Sequence, residues 1–201
     1  MDKNLCIFGD SITQGYSDDE AGGWASRLFA YAVKKDPDWG VFPLGIAGDT
    51  TAGVLERFEN ETPPRGGEYL VFAIGINDAL TYHDGRPPFI SEEKFEQQVA
   101  TILKRAKTNA EKVLFVGLTR VDESKTNPLA DSSSGECYEN GRIDQFDAII
   151  ERVSAEHDVP YLPMKDVMTI HELPDGLHPN ARGHELMFER IKKFLEDNGV
   201  L

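Results

Sequence analysis

The residue types that can move an acyl group are spread along the 201-residue sequence as a glycine-flanked serine at position 11, an asparagine at 77 and an Asp175-Gly176-Leu177-His178 run near the end. A serine hydroxyl is a weak nucleophile until an imidazole takes its proton, and that imidazole needs a carboxylate to fix its tautomer and stabilise its charged form. Ser11, His178 and Asp175 are the candidates for these roles. Three residues apart on a turn, Asp175 and His178 can face one direction, with Asp175 on one ring nitrogen and Ser11 on the other. Acyl transfer also needs donors aimed at the oxygen that turns negative in the tetrahedral intermediate. The backbone amides of Ser11 and Gly48 and the side-chain amide of Asn77 make such a set, with Gly48 letting the backbone approach unshielded. Each loop alone is weak evidence, since Asp10 and Ser11 are equally at home capping a turn or a helix start.

What positions these residues is a series of buried strands. Leu5-Cys6-Ile7-Phe8 is short, uncharged and bulky, as a strand buried on both faces should be, and Gly9 ends it. Val41–Leu44 reads as a second strand, placed at an edge by Pro43. Tyr69–Ile74 is the strongest buried-strand signal and the expected centre of the sheet, and Val113–Leu118 and Val159–Leu162 complete five strands. Between them, helical spacing predicts helices from Gly23 to Asp36, Thr51 to Asn60, Ser91 to Asn109, Asn140 to His157 and Asn180 to Asp197. Strands alternating with helices over short connections predict an α/β fold with a five-stranded parallel sheet between two helical layers. Loops leaving the carboxyl ends of such strands are where these folds hold ligands, and those carrying Ser11, Gly48 and Asn77 all do so. The polar, turn-rich stretch Thr119–Glu139 also starts at a strand's carboxyl end, and it is long enough to be a lid or simply a surface loop.

Composition narrows the functional classes. With 40% hydrophobic and 28% charged residues, the chain reads as one soluble globular domain over residues 1–201. A net charge of −14 disfavours nucleic acid and anionic membranes as partners. No apolar run approaches the roughly 18 residues of a membrane span, and the amino terminus passes into strand after four residues, so a cytoplasmic location without a signal peptide is expected. Cys6 and Cys137 give neither a disulfide framework nor a metal-ligand spacing. No cofactor is expected. His83, His157, His171 and His184 sit in no motif and are expected at the surface or in helix packing, while Asp10, Asp49 and Asp78 are expected to stabilise turns.

Four ordered blocks resemble the SGNH hydrolases, also called GDSL esterases and lipases: Gly9-Asp10-Ser11, Gly45-Ile46-Ala47-Gly48-Asp49-Thr50-Thr51, Gly75-Ile76-Asn77-Asp78 and Asp175-Gly176-Leu177-His178. The family's name residues fall on Ser11, Gly48, Asn77 and His178. Ile12 stands where many members carry leucine. The resemblance spans the chain from Ile7 to the last helix and implies a flavodoxin-like three-layer fold and metal-free hydrolysis of a carboxylic ester or thioester. The expected substrate is a small-molecule ester, and since the candidate lid is polar, short acyl groups such as acetyl are expected to be preferred. Two other classes compete: a metal-dependent phosphoesterase built on Asp10, Asp49, Asn77 and His178, which lacks a ligand signature, and a non-enzymatic phosphate-binding module using the loop after the second strand, which has no lysine and no Walker spacing.

Overall fold

The computed structural model describes residues 3–130 and 132–201. Its strands are β1 (Lys3–Gly9), β2 (Trp39–Gly45), β3 (Tyr69–Ala73), β4 (Thr81–Tyr82), β5 (Lys112–Val116), β6 (Glu136–Cys137) and β7 (Tyr161–Leu162). The helices are α1 (Ser11–Gln14), α2 (Gly23–Lys35), α3 (Thr51–Glu61), α4 (Glu92–Asn109), α5 (Glu123–Thr126), α6 (Asn140–Glu156) and α7 (Ala181–Asp197). Five strands form one parallel sheet in the order β2-β1-β3-β5-β7, the flavodoxin-like order. β3 is central and β2 is an edge, where the exposed Pro43 leaves no ladder bond unmade. Helices α2 and α7 pack together, as do α3, α4 and α6, giving the two outer layers of an α/β/α sandwich.

The apolar runs form strands because the sheet is covered on both faces. Leu5 to Phe8 and Leu70 to Phe72 are wholly inaccessible, and Phe8 stacks on Phe72 at 5.7 Å while Phe58 of α3 meets both rings edge-on. Each such side chain stabilises the fold by about 1.5–3 kcal/mol relative to exposure. Trp24 and Trp39 join this core, and Cys6 and Cys137 are buried free thiols. Helix starts follow the chemistry of their caps: Thr50, Ser91 and Asn180 accept from backbone N–H groups at the starts of α3, α4 and α7.

Register aligns the functional edge. Gly9 is level with Gly45 on one side and Ala73 on the other, so the loops carrying Ser11, Gly48 and Asn77 leave the sheet side by side.

The structure departs from the sequence reading in three places. The fifth strand is reduced to Tyr161–Leu162, the two residues in ladder register with Phe115 and Val116 of β5, although Pro160 O just before it still accepts from Phe115 N–H at 2.9 Å. The Ser11 turn contains α1, whose single turn is too short to show a periodicity. Within Thr119–Glu139 the described residues include regular structure, with α5 capped by Asp122 and β6 paired antiparallel to β4, 56 residues away between Thr81 and Cys137. Among the described residues no helix is long and apolar enough to cross a membrane.

Candidate active site

Ser11 sits at the first position of α1, directly after β1. Asp10 caps this helix by accepting from Ile12 N–H at 2.9 Å, and Gly15 ends it in the left-handed region. A short helix thus lifts the serine out of a buried strand and fixes its direction. Ser11 Oγ lies 2.9 Å from His178 Nε2, and His178 Nδ1 lies 2.7 Å from Asp175 Oδ2. The other carboxylate oxygen of Asp175 accepts from the N–H groups of Leu177 and His178 at 2.9 and 2.8 Å. Against the upward push of burial, these donors and the imidazole hold the Asp175 carboxyl below the usual range, so it is an anion at neutral pH.

The turn bearing this pair is clasped by α5. Asp122 N–H donates to Gly176 O at 2.8 Å, and the Lys125 ammonium donates to Leu173 O and Pro174 O. A Cβ on Gly176 would lie 2.7 Å from Lys125 Cβ, and its φ of +93° also demands glycine. The first part of the stretch read as either a lid or a surface loop, Asp122–Lys125, thus buttresses the histidine turn.

In the loop after β2, Gly48 has a φ of +75° and a Cβ built there meets nothing within 4 Å. The glycine is required by backbone handedness rather than by crowding. Among the described residues the N–H groups of Ser11 and Gly48 donate to no other protein group. Asn77 Nδ2 donates to Asp49 O at 2.8 Å and its Oδ1 accepts from the Tyr138 hydroxyl at 3.0 Å. Because a carbonyl only accepts, this fixes which end of the amide faces which partner and leaves one N–H of Nδ2 uncommitted.

The aspartates of the motif blocks support these loops. Asp49 pairs with Arg57 at 2.7 Å, and the same guanidinium donates to Leu44 O at 2.8 Å, tying the end of β2 and the loop after it to the middle of α3. Asp78 accepts from the hydroxyl of Thr51 at 2.6 Å and from its N–H, fixing the loop after β3 to the first turn of α3. Burial pushes Asp78 up to about 6, against these hydrogen bonds, and pushes Asp10 up to about 7, with Asp78 and Asp49 adding to the effect. Among the described residues no three His, Cys, Asp or Glu side chains converge as a metal site.

Two supporting residues had no sequence signal. Tyr138 reaches Asn77 across 61 positions, and burial pushes its phenol up so that it remains a donor. His184 is wholly buried: Nδ1 accepts from Trp24 N–H at 3.3 Å and Nε2 donates to Tyr16 O at 3.1 Å. It is the neutral tautomer, its pKa lowered by burial, and it joins α7 and α2 to the end of the serine loop. The ring of Tyr16 then packs on His178 with centroids 4.5 Å apart.

Residues 7–186 match the GDSL-like Lipase/Acylhydrolase family. The chain is 24% identical to Esterase TesA of Pseudomonas aeruginosa over 94% of its length and 86% of that protein. It is 23% identical to an arylesterase of Vibrio mimicus over 96% of its length and 88% of that protein. Among solved structures, the lipase/acylhydrolase from Enterococcus faecalis superposes with a TM-score of 0.78 at 25% identity, covering 98% of this chain and 96% of that one. A parallel sheet that presents its motif loops at one edge, together with a match over residues 7–186, makes this chain a member of the GDSL-like lipase/acylhydrolase family and an ester hydrolase.

Proposed function

We propose that the chain hydrolyses carboxylic esters through an acyl-enzyme on Ser11. The observation that carries this reading is the unbroken contact chain from Ser11 Oγ to His178 at 2.9 Å and on to Asp175 at 2.7 Å. His178 Nε2 takes the hydroxyl proton as Oγ bonds to the carbonyl carbon, and Asp175 stabilises the imidazolium that forms. The carbonyl π electrons move to oxygen, where the N–H groups of Ser11 and Gly48 and the uncommitted N–H of Asn77 receive the charge. Collapse expels the alcohol oxygen, which takes the proton from His178. Water, deprotonated by the same nitrogen, then attacks the acyl-serine, and Ser11 leaves with the proton.

Short acyl groups suit this site best. The polar composition of Thr119–Glu139, which lies beside the histidine turn, offers an extended acyl chain little apolar surface. Thioesters remain substrates in this reading, since the same steps cleave a carbon–sulfur bond.

A fluorophosphonate probe followed by peptide mapping tests the assignment. Labelling is expected at Ser11, is lost in Ser11→Ala together with ester turnover, and is unaffected by chelators. A Ser11→Ala protein that unfolds like wild type yet retains turnover would refute it.

A further inference from the structure

A groove of about 590 Å³ opens beside the histidine, bounded by Tyr16, Lys125, Pro128, Leu129, Pro174 and His178. That is within the size range of small-molecule sites. We propose that this groove is the leaving-group subsite and that it takes the alcohol half of the ester as an uncharged ring. The inference rests on the acyl-enzyme reading above.

Its position follows from proton transfer. The nitrogen that accepts the Ser11 proton must return one to the departing oxygen, so that oxygen has to come within hydrogen-bond reach of His178 Nε2. Gly48 and Asn77 leave from β2 and β3 and do not line the groove, so a carbonyl oxygen facing them directs the rest of the acyl half away from it. The alcohol half is therefore the part of the substrate that faces Tyr16 and α5.

Its chemistry follows from the lining. Tyr16 is 56% exposed, although its backbone is held at both ends, by Ser11 O and by His184. Its ring packs on His178, and with Pro128 and Leu129 it contributes apolar surface to the groove. Such a surface stacks on a ring better than on an open chain. Among the described residues the one cation lining the groove, Lys125, is already committed to two carbonyls and lies 3.5 Å from Asp122, while Asp175 adds a negative charge to the lining. An anionic alcohol would find repulsion without a partner. Hydrogen bonds brace the walls, since Thr126 donates to Tyr138 O at 2.8 Å and Leu129 N–H donates to Glu136 O at 2.8 Å.

The test uses acetate esters of matched primary alcohols, so that acyl group and leaving-group basicity stay constant. Wild type is expected to turn over cyclohexylmethyl acetate with a kcat/KM about tenfold above that for ethyl acetate, the gain from burying roughly 60 Å² of ring surface. Ala130→Trp, at an exposed position on the groove wall, is expected to bring the ratio near one, and Tyr16→Leu to lower it. A carboxylate on the cyclohexyl ring is expected to cost at least tenfold. Because the alcohol has departed before water attacks, the acetyl-enzyme of Ala130→Trp, followed by mass spectrometry, is expected to break down at the wild-type rate. A wild-type ratio near one, equal turnover of the carboxylated ring, or slowed breakdown of the acetyl-enzyme in Ala130→Trp would overturn the subsite while leaving the acyl-enzyme intact. Retained turnover of these acetates by a folded Ser11→Ala protein would instead overturn the acyl-enzyme reading, and the subsite with it.

Discussion

On one flank of Ser11, the groups proposed to handle the proton come from a single four-residue turn, carry or acquire charge, and touch one another directly, with Asp175 at 2.7 Å from His178. On the other flank, the groups proposed to face the carbonyl oxygen are neutral, come from two separate strand exits, and are fixed only through partners: Asn77 by Asp49 O and Tyr138, Gly48 by its left-handed backbone. The proton flank is ordered by electrostatics over a short span of chain, and the oxygen flank by tertiary packing. The first is therefore expected to fail abruptly when one group changes, and the second in steps.

The largest expected break is Asp175→Asn. The amide can still accept from Leu177 and His178 N–H, so the turn survives. Its NH₂, however, can donate to Nδ1 and favour the tautomer with the proton on Nε2, which cannot accept from Ser11. A fall in kcat on the order of 10⁴-fold is expected with a native melting curve, the size of effect known for this change in a Ser-His-Asp enzyme. A loss below tenfold would show that the carboxylate only shapes the turn.

Asn77→Ala comes next. Loss of one oxyanion donor is expected to lower kcat by about 10²- to 10³-fold with KM nearly unchanged, roughly 2.7–4 kcal/mol of transition-state stabilisation. A lowered unfolding midpoint with near-normal kcat would assign Asn77 to the loop alone.

Asp10 lies beneath both flanks and sharpens the comparison through stability. Its folded pKa of about 7 lies above that of the unfolded chain, so its contribution is full below about pH 4 and is lost as pH rises through 7. Asp10→Asn, which keeps an acceptor for Ile12 N–H, is expected to stabilise the fold by on the order of 2 kcal/mol at pH 8 and by little at pH 4. Denaturant melts at the two values check this, and a pH-independent difference would place the carboxyl in a solvated setting.

The smallest expected effect is Tyr138→Phe, which removes the hydrogen bond to Asn77 Oδ1 and leaves the ring packed. About 1 kcal/mol of orientation is at stake, a fall in kcat of about fivefold. If kcat is unchanged, Asp49 O alone suffices to aim the amide.

The unequal construction of the flanks also explains what could be read from the sequence. The proposed site residues stood out because their chemistry needs particular residue types at strand exits, and those exits are marked locally by buried apolar runs ending in glycine, as at Phe8-Gly9 and Ile74-Gly75. The five helices and the central place of β3 followed from periodicity and apolar density. What stayed hidden depends on pairings across the chain. Tyr138 meets Asn77 across 61 positions and His184 meets Tyr16 across 168, and neither bond leaves a spacing to detect. The pairing of β4 with β6 is equally non-local, and two-residue strands carry no alternation to read.

The clasp between α5 and the histidine turn decides where this chain can accept new sequence. Connections between elements are ordinarily the tolerant sites for insertion. Here the connection after β5 is divided. Lengthening it within Asp122–Thr126 would shift the N–H that holds Gly176 O and the ammonium that holds Leu173 O and Pro174 O, and so would misalign an imidazole more than fifty positions downstream. Among the described residues the exposed run from Asp84 to Phe89 makes no hydrogen bond to α5 or to the histidine turn, and it touches the later part of Thr119–Glu139 through Arg86, which donates to Ser134 O. Loop grafting to recruit new substrates belongs there, whereas α5 is to be transplanted only together with the turn it grips.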